Sequence, residues 1–141
     1  MRARSLRLAA LFAGSSLAVA SFAGEPAPGQ LLYNKHCLSC HQADGGGVPN
    51  MQPAIAGGTW VKGDARALAL FVMSGGFDSA SRKNSDVGNV MPPFRQLPDA
   101  DLAAILTYIR QKFGDGGSPV SVADVAEARG SLVSDPKADG A

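Results

Sequence analysis

Apolar residues recur with a helical period in three stretches of this chain, and segments rich in Gly, Pro, Ser and Asn separate them. The clearest stretch is LPDADLAAILTYIRQKFG, in which Leu102, Ile105, Leu106, Ile109 and Phe113 fall at i, i+3, i+4, i+7 and i+11 and so share one face. Asp99 and Asp101 in its first turn and Arg110 and Lys112 in its last suit the helix dipole, and Gly114 supplies a stop. A second helix is predicted after Asp64, a good N-cap, where ARALALFVMSG puts Leu68, Phe71 and Val72 on one stripe until Gly75 and Gly76 end it. The earliest of the three runs from about Gly29 to Cys40 and carries Leu32, Tyr33, His36 and Cys37 inward. A fourth segment, SVADVAEAR, has Ser121 followed three residues on by Asp124, an approximation to a capping box. It is too short to stand alone and reads as a helical appendage over 118–133, with a disordered tail over 134–141. No period-two alternation of useful length occurs, so the predicted fold class is all-α: three main helices plus loops, with a short C-terminal helical addition.

The N-terminal MRARSLRLAALFAGSSLAVASFA follows another rule. Arg2, Arg4 and Arg7 precede an apolar run from Leu8 to about Ala20 that is too short to span a bilayer comfortably, and small residues at Ala18/Ala20 and Ser21/Ala23 offer cleavage after Ala20 or after Ala23. Residues 1–23 therefore read as a signal peptide, and 24–117 as one exported, periplasmic domain. The competing reading is an uncleaved anchor, against which stand the interruptions at Gly14, Ser15 and Ser16. No other long apolar run follows, so membrane association is expected only through a partner. Loss of the three arginines leaves ten Lys and Arg against twelve Asp and Glu and moves the formal net charge from +1 to −2. No basic face for nucleic acid is indicated.

Composition adds a difficulty. Six Phe, two Tyr and one Trp stand against 17 Gly and nine Pro in the 141 residues, which is a thin supply of bulky groups for a core. Both cysteines and both histidines, moreover, fall between His36 and His41. The run Cys37-Leu38-Ser39-Cys40-His41 has the CxxCH spacing of a c-type haem attachment site, in which two thiols bond the two vinyl groups of a porphyrin and the adjacent histidine ligates the iron. A structural zinc site needs about four protein ligands, and there is no second cysteine pair. A thioredoxin-like CxxC belongs at the head of a helix in a βαβ context that this chain lacks. A plain disulfide suits an oxidising compartment but leaves the thin core unexplained.

A haem ligated by His41 needs a sixth ligand or an open position. Three methionines follow the leader. Met51 lies ten residues after His41 in a Gly/Pro-rich turn, and Met73 sits late in the second helix, where core packing accounts for it. Met91 stands in NVMPPF, where two prolines impose an extended, rigid backbone suited to lie over a haem face. Histidine and thioether together would saturate the iron and raise its reduction potential relative to two histidines, which favours electron exchange over bond chemistry.

These residues resemble the class I (monohaem) cytochromes c. CLSCH lies near the start of the mature chain, MPPF about fifty residues later, and the helix LAAILTYIRQKFG closes a region of resemblance from roughly Gly29 to Gly114. The resemblance implies a small fold wrapped round one covalent haem c, with Cys37 and Cys40 as thioether tethers and His41 and Met91 as axial ligands. It further implies that Gly29 and Tyr33 meet the last helix around Ile105, Tyr108 and Ile109. In QPAIAGG it implies that the Pro53 carbonyl accepts a hydrogen bond from the proximal imidazole and that Ile55 packs on the haem. More narrowly, GGGVPNMQPAIAGG, MPPFRQLPDADLAAILTYIR and FGDGGSPVSVADVAEAR are similar to haem domains of the cytochrome subunits of membrane-associated alcohol, sugar and aldehyde dehydrogenases. Those subunits commonly carry three such domains, and this chain has one. The implied function is non-enzymatic: transfer of single electrons from a dehydrogenase to an oxidase or another respiratory acceptor. Two alternatives stay open, a haem-bearing adaptor subunit and a gas-binding or sensing haem protein with an open distal site.

Overall fold

The computed structural model describes residues 27–76 and 90–134; the expected signal peptide and the residues 135–141 of the expected tail lie outside the described residues. In chain order the described helices are α1 (Pro28–His36), α2 (Leu38–His41), α3 (Thr59–Lys62), α4 (Ala65–Met73), α5 (Asp99–Phe113) and α6 (Val122–Ser134). The described residues contain no sheet; an isolated antiparallel bridge joins Val48 and Gln52.

Helix α5 is the axis on which the others are placed. Its predicted face, Leu102, Ile105, Leu106, Ile109 and Phe113, is buried throughout. Crossing α5 on one side, α1 comes so close that a Cβ on Gly29 would enter the van der Waals envelope of the Ala104 carbonyl oxygen and lie 3.0 Å from Tyr108 Cβ. Only a glycine permits that approach. Four residues on, the buried Tyr33 ring packs on Tyr108 and Phe113 at centroid distances of 5.3 and 5.5 Å. On another side, α4 starts at Asp64, whose carboxylate accepts a hydrogen bond from Ala67 N at 2.9 Å, and buries Leu68, Ala69, Val72 and Met73.

Three differences from the predicted elements have physical causes. The first helix does not continue to Cys40: Cys37 leaves helical geometry at φ −122° and ψ −31°, and the chain restarts as the single turn α2. The last helix extends well beyond SVADVAEAR, because Val125, Ala128 and Leu132 form an apolar stripe that packs on α4 and α5, reinforced by an Arg66–Glu127 ion pair at 2.6 Å. Ser134, read as the start of the tail, is its last residue. Arg110, read as a dipole partner, is buried: its Nε donates to the Ser118 carbonyl at 2.9 Å and its Nη1 to the Gly63 carbonyl at 2.6 Å, so it pins two loops to α5.

Candidate functional site

The kink at Cys37 sets the histidine side of the site. Cys37 N donates to the Tyr33 carbonyl at 2.8 Å, closing α1, while the Cys37 carbonyl accepts from Cys40 N at 3.2 Å and His41 N at 2.9 Å, opening α2. One backbone carbonyl thus gathers both thiols and the imidazole into a single turn. Behind it, Tyr33 Oη donates to the Gln42 carbonyl at 2.6 Å and fixes the exit of α2. Burial, and after it the nearby Cys37 thiol, raises the Tyr33 pKa, which keeps this donor protonated. The two cysteines do not form a disulfide with each other. Burial, with the Cys40 thiol beside it, pushes Cys37 up to about 11, so it is a neutral thiol at ordinary pH.

The loop after α2 folds back beneath His41. Gly47 adopts φ +68°, and a Cβ there would lie 2.7 Å from the Pro53 carbonyl oxygen, so the return of Gln52 and Pro53 depends on a glycine. Ile55 N and Ala56 N both donate to the Gly45 carbonyl, at 2.8 and 3.1 Å. Burial lowers the His41 pKa, with the Pro53 carbonyl opposing it, and leaves a neutral imidazole. Its Nδ1 is buried without a hydrogen bond of ordinary geometry.

A different set of elements builds the methionine side. Gly75 and Gly76, which end α4 at φ +84° and +87°, bring the chain hard against 91–93: a Cβ on Gly75 would lie 2.9 Å from the Met91 carbonyl oxygen and 3.0 Å from Pro93 N. A Cβ on Gly76 would lie 3.8 Å from Met91 Sδ. Phe94 N donates to the Val72 carbonyl at 3.3 Å.

Between these sides lies a cavity of about 380 Å³, into which His36, Cys37, Cys40, His41, Pro53, Ile55 and Met91 all face; Leu68, Val72, Leu102, Ile105 and Ile109 also line it. Trp60 stacks on Phe71 at 4.2 Å and 22° along the rim. Every residue predicted for the site therefore borders one space. The other methionines do not: Met51 is 47% exposed and Met73 is fully buried in the core. His36 has more to do than the spacing suggested, since it borders the cavity and presents its ring edge to Phe94 at 6.2 Å. Gly75 and Gly76, read only as a helix stop, are what admit Met91. Their adjacency after an apolar helix was the available signal.

The donor set fits a flat apolar macrocycle carrying an iron. Among the described residues no Asp, Glu, Lys or Arg lines the cavity, its apolar floor would cover a porphyrin, two thiols stand beside a neutral imidazole, and a thioether closes the space. Among the described residues there is no group of three or more His, Cys, Asp or Glu placed to hold a bare metal ion.

Comparison with known proteins agrees with this chemistry. A family model described as Cytochrome c matches residues 26–112. Cytochrome c-552 of Thermus thermophilus is 30% identical over 112 residues, which cover 73% of this chain and 85% of that protein. The cytochrome c subunit of the quinone alcohol dehydrogenase of Gluconobacter oxydans (strain 621H) is 29% identical over 119 residues, or 82% of this chain and 25% of the subunit. Its counterpart in Gluconacetobacter polyoxogenes is 30% identical over 104 residues, covering 72% of this chain and 22% of that protein. This chain thus spans about a quarter of those dehydrogenase subunits.

Proposed function

The chain belongs to the cytochrome c family, an electron-transfer protein with a covalently bound haem c, and from that premise we propose that Cys37 and Cys40 are the thioether tethers and His41 and Met91 the axial ligands. Bound there, the haem supplies a one-electron redox centre. The residues supply everything else. The two thiols would hold the haem through thioethers to its vinyl groups, and the depressed basicity of His41 leaves a lone pair free for iron. Pro53 would offer its carbonyl as acceptor to the Nδ1–H when haem is bound and so hold the ring in one tautomer. Ile55, with the α5 face, would exclude water from the macrocycle, and the described helices and loops would wrap round it. Met91 would hold the iron from the other side of the cavity, so that the centre would exchange electrons and offer no site for substrate.

The observation that carries this reading is the convergence of Cys37, Cys40, His41 and Met91 on one cavity whose described lining carries no Asp, Glu, Lys or Arg. The likeness to cytochrome c subunits of quinone alcohol dehydrogenases supports a dehydrogenase as electron donor, with an oxidase or another respiratory component as acceptor. Residues 1–23 would export the chain to the periplasm, and contact with the membrane would come through the partner. A mass measurement on the exported protein together with its reduced-minus-oxidised visible spectrum tests attachment and processing at once. The expected result is one haem on a chain cut after Ala20 or Ala23; a protein that releases its haem to acidic organic solvent would refute the thioether assignment.

A further inference from the structure

Among the described residues, the backbone of the segment after Met91 donates hydrogen bonds through the N–H groups of Phe94 and Leu97. Pro92 and Pro93 have no N–H to donate, the Phe94 N bond to the Val72 carbonyl is long at 3.3 Å, and Leu97 N turns back on the Phe94 carbonyl at 3.1 Å. Its far end is instead gripped by a side chain from α6. The Arg129 guanidinium donates through Nε to Asp99 Oδ1 at 2.7 Å, through Nη2 to the Leu97 carbonyl at 2.8 Å, and through Nη1 to the Arg95 carbonyl. One planar fork thus ties two loop carbonyls to the first turn of α5, with the acceptor Asp99 balancing its charge. Both side chains of the ion pair are about 30% exposed, so water competes little for the fork.

Helix α6 is seated firmly enough to serve as the anchor. Val125 and Ala128 are buried against α4 and α5, and Glu127 pairs with Arg66 at 2.6 Å. The family match ends at residue 112, so α6 lies outside the matched segment. We propose that Arg129 is a positioning residue for the methionine ligand: by fixing the Arg95 and Leu97 carbonyls it keeps the Met91–Leu97 segment closed over the cavity. This deepens the proposed function and rests on Met91 being the sixth ligand. A thioether is a neutral, soft donor that suits ferric iron poorly, so the restraint matters most in the oxidised protein.

The test uses the haem-loaded protein with Arg129→Ala, Arg129→Lys, Glu127→Ala and Met91→Ala. Three signals are followed: the methionine-to-ferric-iron charge-transfer absorption on heating, alongside far-UV circular dichroism; the rate of carbon monoxide binding to the ferrous form; and amide exchange at Phe94 and Leu97. In Arg129→Ala the charge-transfer absorption should disappear well before the helical signal. Carbon monoxide should bind roughly tenfold faster and the two amides exchange roughly tenfold faster, the weight of one charge-assisted hydrogen bond. Glu127→Ala, which removes an exposed ion pair and leaves α6 seated by the buried Val125 and Ala128, should match the parent. If Arg129→Ala does not take up haem, Arg129→Lys carries the comparison, because it keeps the charge but cannot span three acceptors. Loss of absorption and helix together, with an unchanged carbon monoxide rate, would overturn the proposal and leave Arg129 a structural residue. Survival of the absorption in Met91→Ala would instead overturn the ligand assignment beneath it.

Discussion

Cys37, Cys40 and His41 fall within five consecutive residues, and the bonds that position them stay close in sequence: Tyr33 to Gln42, Cys37 to His41, Gly45 to Ile55. Met91 depends on groups scattered along the chain, namely the Val72 carbonyl, the turn at Gly75 and Gly76, and Arg129 far downstream on α6. Each remote contact closes a loop whose entropy must be offset by the contact itself. The histidine side is therefore the rigid one, doubly so once covalently tethered, and the methionine side is where local opening begins.

The largest test of this asymmetry removes the proposed tethers. Cys37→Ala with Cys40→Ala should abolish haem retention and leave an apolar cavity of about 380 Å³ with nothing to fill it. The thin core then fails, since burial of apolar surface contributes roughly 25 cal/mol per Å² and the porphyrin supplies much of it. Far-UV circular dichroism should report a largely unfolded chain; a native helical spectrum would contradict this. Next in size is Gly29→Ala, whose Cβ strikes the Ala104 carbonyl where α1 crosses α5. It should cost about 3 kcal/mol and lower the melting temperature of both sides together, because both rest on α5.

Gly75→Ala separates the two sides. At φ +84° an alanine is strained by about 1–2 kcal/mol, and its Cβ presses on the Met91 carbonyl oxygen. The charge-transfer signature of methionine ligation should weaken while the ferrous histidine-haem spectrum persists. Equal loss of both would argue that the sides are not independent.

The smallest effect concerns the cap of α6. Ser121 Oγ donates to Asp124 Oδ2 at 2.6 Å and Ser121 N donates to the same oxygen at 2.9 Å, while Asp124 N donates to Ser121 Oγ at 3.1 Å. These bonds hold the Asp124 carboxyl below the usual carboxylate range. A carboxyl whose folded pKa is depressed stabilises the fold above its unfolded pKa and loses that contribution as pH falls through the folded value. Ser121→Ala should therefore lower stability slightly near neutral pH, and an acid denaturation series should find the difference from the parent shrinking as Asp124 protonates.

The same division between near and far decides what could be read from the residues alone. The Asp64 cap and the five-residue apolar face of α5 are local patterns, and each reappears in the structure where the spacing put it. The break at Cys37 left no such trace, because Leu38 and Ser39 are ordinary helix residues and the turn arises from the bonds around the Cys37 carbonyl. The one-turn helix α3 is too short for a period to register. The full length of α6 was obscured by Gly130 and by small residues whose burial depends on α4 and α5. Arg110 and Arg129 carry no sequence mark of their roles, since a guanidinium that bonds remote carbonyls looks the same in the chain as one that faces water.

The account stands most directly on whether the iron is closed on both faces. The measurement is exposure of the reduced, intact protein to carbon monoxide at neutral pH, followed by its visible spectrum. Closure by His41 and Met91 predicts an unchanged spectrum over the time in which a Met91→Ala variant binds fully. Rapid binding by the intact protein would contradict the account and make it a ligand-binding haem protein.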